Sequence, residues 1–277
     1  MDELQGKVGV VTGAGSGIGR AVALAFAREG MKVVLADIQP DALEDAVAEV
    51  TATGAEAIGV VTDVSDGAAI EALAAATLEA FGAVHVVHNN AGVVTAGPLE
   101  TLTDDDWNWV LGVDLWSVIY GIRTFLPLIR EAGEGHIVNT ASTAGLQSNP
   151  NIGPYNVAKF GVVALTETLA LELGPDSPIG TSVLCPGAIN TRIVESERNR
   201  PDALADHVDT DADAGFKARS SAMLAKGMDP AEVADMVIDG IRTRRFWILT
   251  HEPWKQIMID RAEALARDGS LVSRFGG

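Results

Sequence analysis

Residues 8–19 read VGVVTGAGSGIG, a short apolar run that leads directly into a glycine-rich turn. Val8–Val11 has the length and composition of a buried strand, and the pattern after the turn predicts a helix from about Gly17 to Glu29. Gly30 follows at a position where a left-handed helix cap favours glycine. Such a turn lets the backbone approach a phosphate group, and the helix N-terminus offers unpaired N–H groups to it. The stretch therefore predicts a nucleotide-binding turn between a strand and a helix.

The alternation of strand and helix continues beyond this turn. Six further apolar runs have the length of strands and are preceded by stretches of helical length: Lys32–Ala36, Ala57–Val61, Val84–His88, His136–Asn139, Thr181–Leu184 and Phe246–Leu249. Strands that alternate with helices form parallel sheets with helices on both faces. We therefore predict a single α/β domain over residues 1–277, built on a doubly wound, Rossmann-like parallel sheet.

Residues 190–227 depart from this pattern because they are polar, acidic and interrupted. The segment follows the carboxyl end of the sixth predicted strand, which is where ligands bind in open α/β sheets. We therefore predict a mobile substrate-binding lid at 190–227, with a functionless acidic surface loop as the alternative. Its aspartates are predicted to form a solvated face: Asp202, Asp206, Asp209, Asp211 and Asp213.

Composition and charge limit the classes of protein that remain. The net charge of −18 disfavours nucleic acid and anionic membrane surfaces as partners. Cys185 is the single cysteine, which excludes an internal disulfide and fits a reducing compartment. We find neither a secretory signal nor a run of about 18 apolar residues that could span a bilayer, so a cytoplasmic location is expected. The five histidines show no metal-ligand spacing, so no metal site is predicted.

The glycines of the turn are spaced as G-x-x-x-G-x-G, and an acidic residue follows at the end of the second predicted strand. This residue, Asp37, lies 24 residues after Gly13. A carboxylate there can accept hydrogen bonds from ribose hydroxyls and would repel a 2′-phosphate, so the sequence favours NAD over NADP. Asp63 and Val64, past the third strand, are candidates for the adenine edge. The full set predicted to contact the dinucleotide here is Gly13, Ser16, Gly17, Ile18, Gly19, Asp37, Asp63 and Val64.

A second group of polar residues lies far downstream. Tyr155 and Lys159 are four residues apart on a predicted helix, so both side chains can point into one cleft. A lysine cation about 5 Å from a phenol, at an effective dielectric of about 20, favours the phenolate by roughly 3 kcal/mol, or about 2 pKa units. We therefore expect the tyrosine pKa to fall toward about 7–8, where acid–base catalysis is efficient. Ser142 can donate a hydrogen bond to an oxygen that gains charge during the reaction.

These residues resemble the short-chain dehydrogenase/reductase family in its shorter, single-domain form. The likeness runs from Thr12 to about residue 191. Two further motifs support it, Asn89-Asn90-Ala91-Gly92 after the fourth strand and Pro186-Gly187 with Thr191 after the sixth.

The resemblance implies a role for each matching residue. Tyr155 is expected to donate and accept the proton, Lys159 to bind the nicotinamide ribose and lower the tyrosine pKa, and Ser142 to orient the substrate. The remaining cofactor contacts are expected along the adenosine ribose and at the nicotinamide carboxamide, from Asn90, Ala91, Gly92, Ile189 and Thr191. The family also implies a homotetramer or homodimer.

One position departs from the family pattern. The family usually has an asparagine in the long helix after Thr103, as part of a proton relay with the lysine, and this sequence has Asp114 there. Thr103-Asp104-Asp105-Asp106 is predicted to cap that helix. A buried acid is costly unless it is paired, so we expect Lys159 or a water as its partner, and we expect the carboxylate to make the tyrosine less acidic. A tolerated variant without electrostatic effect is the alternative.

The sequence thus predicts hydride transfer between NAD and a secondary alcohol or ketone, with Ser142, Tyr155, Lys159 and Asp114 as the catalytic group. Apolar substrate walls are expected from Leu146, Ile152, Val94, Ile193 and Phe216, which lie near the motifs in sequence. Three alternatives remain: an NADP-dependent ketoreductase of acyl-thioester type, a non-catalytic nucleotide sensor, and an epimerase or dehydratase of the family's extended branch.

Overall fold

The computed structural model describes residues 1, 3–208 and 211–272. Within them, seven parallel strands form one sheet in the order β3-β2-β1-β4-β5-β6-β7. The strands are β1 Val8–Thr12, β2 Lys32–Asp37, β3 Ala57–Val61, β4 Val86–Asn89, β5 Gly135–Thr140, β6 Ile179–Cys185 and β7 Trp247–Leu249. The strand order reverses direction between β1 and β4, and this point is where doubly wound sheets bind their ligands.

Helices cover both faces of this sheet. They are α1 Gly17–Arg28, α2 Pro40–Ala52, α3 Gly67–Phe81, α4 Asp104–Leu111, α5 Ser117–Ala132, α6 Gly153–Leu173, α7 Asp211–Leu224, α8 Pro230–Thr243 and α9 Pro253–Arg267. Alternate strand residues enter different cores: Val11 packs with Phe26 of α1, whereas Val10 packs with Phe125 of α5. This period of two buries both sides of each strand, as a parallel sheet requires. The predicted doubly wound fold is confirmed.

Six of the seven strands differ from the predicted bounds by one or two residues at one or both ends, and Ala57–Val61 matches. The apolar run begins at Val84, but the ladder between β1 and β4 begins where Gly9 pairs with Val86. The last strand begins at Trp247 rather than Phe246. Val84 is fully buried all the same, because apolarity marks burial and does not mark where ladder pairing begins.

A continuous helical stretch, Asp104–Ala132, is long and apolar enough to cross a membrane by length and composition alone. This corrects the expectation that no segment has the length and apolarity to span a bilayer. Phe125 and Ile129 from this stretch pack in the core against the sheet, and Asp106 and Asp114 within it are fully buried in the protein. The apolar side chains of this helix are therefore explained by its packing against the sheet. The predicted cap is also present, since Thr103 and Asp106 form a capping box at the start of α4.

The segment predicted to be a lid, residues 190–227 and called the lid below, contains more regular structure than its sequence suggests. It holds the 3-10 segments Ile193–Asn199 and Asp202–Leu204, followed by α7. Its ends meet, because Asn190 N donates to Met228 O at 2.9 Å. Asp202, Asp206 and Asp211 are exposed as predicted, and Asp209 lies outside the described residues. Asp213 is only 2% exposed, so its assignment to a solvated face is wrong; its carboxylate faces His207, with 3.9 Å between Oδ2 and Nε2.

Candidate active site

One elongated cavity runs along the carboxyl edge of the sheet, from Asp37 at one end to Tyr155 at the other. Most of the predicted site residues line it: Gly13, Ser16, Gly17, Ile18, Asp37, Asp63, Val64, Asn90, Ala91, Gly92, Ser142, Tyr155, Lys159, Ile189 and Thr191. Gly19 and Asp114 do not line it and lie behind its wall. Residues that are far apart in sequence thus share one cleft because parallel strands end at the same edge.

The glycine-rich turn depends on glycine at three positions. Gly13 and Gly17 have φ values of +66° and +54°, in the left-handed region that side chains disfavour. A Cβ on Gly19 would lie 2.2 Å from the Gly13 carbonyl oxygen, so the helix could not pack this closely on the turn. Among the described residues, the Ser16 side chain makes no capping hydrogen bond at the start of α1. The N–H groups there are available to phosphate oxygens, which fits a bound dinucleotide.

Two carboxylates at the far end of the cavity are held by backbone N–H groups. Asp37 Oδ2 accepts from Gly15 N at 2.8 Å and Oδ1 accepts from Gln39 N at 3.0 Å. Asp63 Oδ1 accepts from the backbone and hydroxyl of Ser65 at 2.9 and 2.7 Å. Each carboxylate oxygen has a second lone pair, so both groups can still accept bonds from a ligand.

The loop after β4 is tied to the glycine turn. Thr12 Oγ1 accepts from Asn90 N at 2.9 Å and from Ala91 N at 3.1 Å, and Asn90 Nδ2 donates to Thr12 O at 2.9 Å. One residue earlier, Asn89 Nδ2 donates to Asn139 Oδ1 at 2.8 Å, which joins β4 to β5. These bonds fix the floor of the cavity at the switch point of the sheet.

Three side chains meet at the other end of the cavity. Tyr155 and Lys159 occupy one face of α6, and the Lys159 ammonium lies 5.4 Å from the centre of the Tyr155 ring. Lys159 Nζ also donates to Thr140 O at 3.1 Å. Ser142 follows β5; its hydroxyl accepts from Ala144 N at 3.1 Å and is near enough to the Tyr155 phenol to lower the pKa of that phenol. A serine, a phenol and an ammonium group are thus arranged around one reactive position.

Asp114 lies directly behind this group, in a π-helical segment, Gly112–Trp116, between α4 and α5. Its Oδ2 lies 3.1 Å from Lys159 Nζ, and both side chains are almost fully buried, at 0% and 3% exposure. Its Oδ1 accepts from Val93 N at 2.8 Å. Of the two partners expected for Asp114, Lys159 or a water, Lys159 is in contact with it, and π-helical turns often mark functional positions.

Burial dominates the protonation of this cluster. It raises the pKa of the Tyr155 phenol above its ordinary value; Lys159 and Ser142 lower that pKa, and Asp114 raises it further. Lys159 thus lowers the pKa of the phenol as expected but does not bring it toward neutrality, because burial outweighs it, and Asp114 acts in the expected opposing direction. Burial also lowers the pKa of Lys159, but the charges of Asp114 and Tyr155 outweigh it and the net shift is upward. The ammonium thus stays charged.

The loop after β6 rests on the segment that follows β7. Gly187 N donates to Thr250 Oγ1 at 2.9 Å. A Cβ on Gly187 would lie 2.7 Å from His251 Nδ1 and 2.8 Å from Trp254 Nε1, so only glycine fits there. The sequence reading gave these later residues no part in the site, since no motif marks them. They support the stretch that carries Ile189 to the cavity.

The predicted apolar walls were mostly misplaced. Of the five, Ile193 lines the cavity. Val94, Ile152 and Phe216 pack with Tyr155 behind the wall, and Leu146 belongs to a separate core. Closeness in sequence to a motif does not fix the direction of a side chain, which explains the error. Among the other apolar residues that line the cavity, Val93, Trp109 and Val113 pack with Tyr155.

The lid is fastened to α4 by a buried cluster that the sequence did not reveal. Arg200 Nη2 lies 2.8 Å from Asp106 Oδ1, and its guanidinium lies 4.2 Å from the centre of the Trp109 ring. His207 Nδ1 lies 2.9 Å from the same carboxylate oxygen. We call Arg200, His207, Asp106 and Trp109 the lid latch. Its partners are about a hundred residues apart, beyond the reach of local patterns.

Comparison with known proteins agrees with this geometry. Residues 7–202 match the family model described as short chain dehydrogenase. A short-chain dehydrogenase/reductase from Burkholderia phymatum, solved in complex with NAD, is 42% identical, with a TM-score of 0.95 and 100% of both chains covered. The CLA biosynthesis dehydrogenase/reductase of Lactiplantibacillus plantarum is 31% identical, over 98% of this chain and 96% of that protein. Levodione reductase of Leifsonia aquatica is 40% identical, over 71% and 74%. The chain belongs to the short-chain dehydrogenase/reductase family of oxidoreductases.

Proposed function

We propose that the chain is an NAD-dependent oxidoreductase that transfers a hydride between the nicotinamide and a neutral, apolar secondary alcohol or ketone. The observation that carries this proposal is one cavity that joins a dinucleotide cradle, from Gly13 to Asp37, to Ser142, Tyr155 and Lys159. The coenzyme, when bound, supplies the hydride acceptor or donor. The protein supplies the proton transfer and the orientation that accompany it.

Tyr155 is the proton acceptor in oxidation and the proton donor in reduction. Its phenol and the Ser142 hydroxyl line the same cavity, so a substrate oxygen placed between the two hydroxyls is oriented by both. The charged Lys159 ammonium favours the phenolate form that oxidation requires. In reduction, the Ser142 hydroxyl stabilises the negative charge that develops on the carbonyl oxygen.

NAD is favoured over NADP by Asp37. Its carboxylate is held in place by Gly15 and Gln39 and lines the cavity end that an adenosine ribose would occupy. A 2′-phosphate there would meet a fixed negative charge, whereas ribose hydroxyls would meet acceptors. The relative from Burkholderia phymatum binds NAD, which supports the same preference here.

The walls beside Tyr155 favour a neutral substrate. Val93, Trp109 and Val113 line the cavity and pack with Tyr155, so the wall beside the phenol has a large apolar part. Lys159, the cation nearest to them, is paired with Asp114. A carboxylate or phosphate on the substrate would lose its hydration without gaining a counter-ion, which is costly.

The test is NADH formation from a panel of chemically diverse secondary alcohols, followed by the absorbance of NADH. We expect turnover with apolar members, and we expect Tyr155→Phe to lower kcat/KM by about 100- to 10,000-fold while NADH binding is retained. Tyr120, the other of the two tyrosines, gives the matched control Tyr120→Phe, which should leave turnover unchanged. Full activity in Tyr155→Phe would refute the proposal.

The same assay separates the alternatives. An NADP-dependent ketoreductase of acyl-thioester type would prefer NADPH and a thioester ketone. A nucleotide sensor would bind NADH and turn over no alcohol. An epimerase would hold its NAD without net change of the coenzyme. The intact group of Ser142, Tyr155 and Lys159 supports the catalytic reading over the sensor.

We also infer a cytoplasmic homodimer or homotetramer. Apolar side chains remain exposed on the outer helices, with Trp116 at 47%, Val157 at 50% and Leu171 at 83% exposure. Association of two copies through such faces would remove these side chains from water.

A further inference from the structure

The lid begins directly against the glycine-rich turn. A Cβ on Gly17 would lie 3.0 Å from Thr191 Cγ2, so the chain leaves Thr191 in contact with the start of α1. The next residues form the 3-10 segment Ile193–Asn199, and the arginines at its two ends, Arg192 and Arg198, line the cavity together with Ser16, Gly17 and Asp37. Both arginines are exposed at its rim.

Few positive charges in the cavity lining could contact the diphosphate of a dinucleotide. Among the described residues that line it, the cations are Lys159, Arg192 and Arg198. Lys159 is paired with the buried carboxylate of Asp114 at 3.1 Å. Lys159 is also buried, so a diphosphate that binds to this protein of net charge −18 meets exposed positive charge at the two lid arginines.

Arg198 is positioned but has no acidic partner in the described part of the chain. Its Nη1 donates to the main-chain oxygens of Arg192 and Glu195, at 3.2 and 2.8 Å, which places the guanidinium at the cavity rim. Arg192 by contrast shares its charge with Glu195, with 2.7 Å between Nε and Oε2. Burial lowers the pKa of Arg198 and the like charge of Arg192 adds to this, whereas Glu195 and Asp37 raise it. Two neighbouring cations of this kind suit an anion with two charges.

We propose that Arg192 and Arg198 bind the diphosphate of the dinucleotide and thereby close the lid over the coenzyme. This inference rests on the proposed nicotinamide dinucleotide site and adds two residues to it. Guanidinium groups match phosphate oxygens with paired hydrogen bonds, so each arginine can contribute directional contacts as well as charge. The lid then covers the coenzyme as well as the substrate, and coenzyme binding orders the substrate wall that Ile193 provides.

The test is equilibrium binding, followed by the fluorescence of NADH, to wild type and to Arg192→Gln, Arg198→Gln and the double variant. We expect each single change to weaken NADH and ADP-ribose by about 5- to 10-fold, with Arg198 the larger effect, because each removes charge-assisted bonds to phosphate. Adenosine, which has no phosphate, should bind all variants equally. Arg198→Lys keeps the charge and should recover part of the affinity. Arg267→Gln, an exposed change on α9, is the control and should bind as wild type.

Salt gives a second readout. Raising the ionic strength should weaken NADH binding to wild type more than to the double variant, because the phosphate contacts are screened.

Three results would overturn the inference. The first is an unchanged affinity for NADH. The second is an equal loss for adenosine and ADP-ribose, which would indicate a damaged lid. The third is a loss confined to NADPH, which would place Arg198 at a 2′-phosphate beside Asp37. The outcome is independent of the proposed chemistry, because NADH binding can depend on Arg198 in a chain that oxidises no alcohol.

Discussion

Asp114 differs from the usual asparagine in charge more than in shape. An asparagine could accept the bond from Val93 N, but it could not neutralise Lys159, whose ammonium lies 3.1 Å from the Asp114 carboxylate. Burial raises the pKa of Asp114 even with Lys159 beside it. The same carboxylate raises the pKa of Tyr155. Compared with asparagine, Asp114 therefore binds Lys159 more strongly and leaves the Tyr155 phenol less acidic.

The Asp114→Asn change should move the rise of the oxidation rate to lower pH. Oxidation requires the Tyr155 phenolate, so the rate increases as pH rises through the pKa of the phenol. Removing the carboxylate removes a charge that raises that pKa, so the phenol deprotonates at lower pH. The measurement is kcat/KM for an alcohol across alkaline pH, with exposed Asp104→Asn on α4 as the control. Identical pH profiles for wild type and Asp114→Asn would rule out this electrostatic role.

At the scale of elements, the helix Asp104–Ala132 contacts the lid with its first part and the sheet with its last part. Its first part, α4, faces the lid through Asp106 and Trp109, and its last part, α5, packs on the sheet through Phe125. The π-helical turn Gly112–Trp116 lies between them, where one extra residue per turn shifts the side chains around the axis. The latch, the active site and the core are thereby connected by one rigid element.

Breaking the latch should affect the substrate more than the chemistry. Arg200→Met preserves an apolar stem over Trp109 but leaves the buried Asp106 carboxylate without the guanidinium 2.8 Å away. Loss of one partner of a buried pair costs roughly 3 kcal/mol. We expect a lower unfolding temperature and about a tenfold higher KM for the alcohol, with kcat changed less. The exposed Arg219→Met on α7 is the control. An unaltered KM together with unaltered stability would contradict a role for the latch.

At the scale of the whole molecule, the sheet and the shared helix face of Tyr155 and Lys159 could be predicted from sequence, whereas the internal structure and contacts of the lid could not. Strands and glycine turns are recognised by local patterns, and Tyr155 and Lys159 are one helical turn apart. Arg200 and Asp106 meet only after the chain folds back, so no local pattern links them. The helix α7 could not be predicted either, because its polar, acidic sequence has no apolar stripe. Long-range electrostatic pairs therefore account for most of what the sequence left out.

The two fully buried histidines, His88 and His136, predict how the whole fold responds to acid. Burial lowers the pKa of each to about 3, and each ring is hydrogen-bonded with a hydroxyl, that of Thr140 at 2.8 Å and that of Ser182 at 2.7 Å. A depressed native pKa means that the unfolded chain binds the extra protons, so stability is present above about pH 6.5 and is lost toward pH 3.

Between pH 7 and pH 5 the free energy of unfolding should therefore fall by about 2 kcal/mol per histidine, or about 4 kcal/mol in all. Urea unfolding of wild type and of His136→Asn at both pH values measures this. The variant is less stable at pH 7, because its packing and the bond with Ser182 are lost, but it should lose about 2 kcal/mol less on acidification. Cys185→Ala is the control: burial raises the pKa of that thiol to about 12, so its cost should be equal at both pH values. Equal acid sensitivity of wild type and His136→Asn would show that His136 does not carry this dependence.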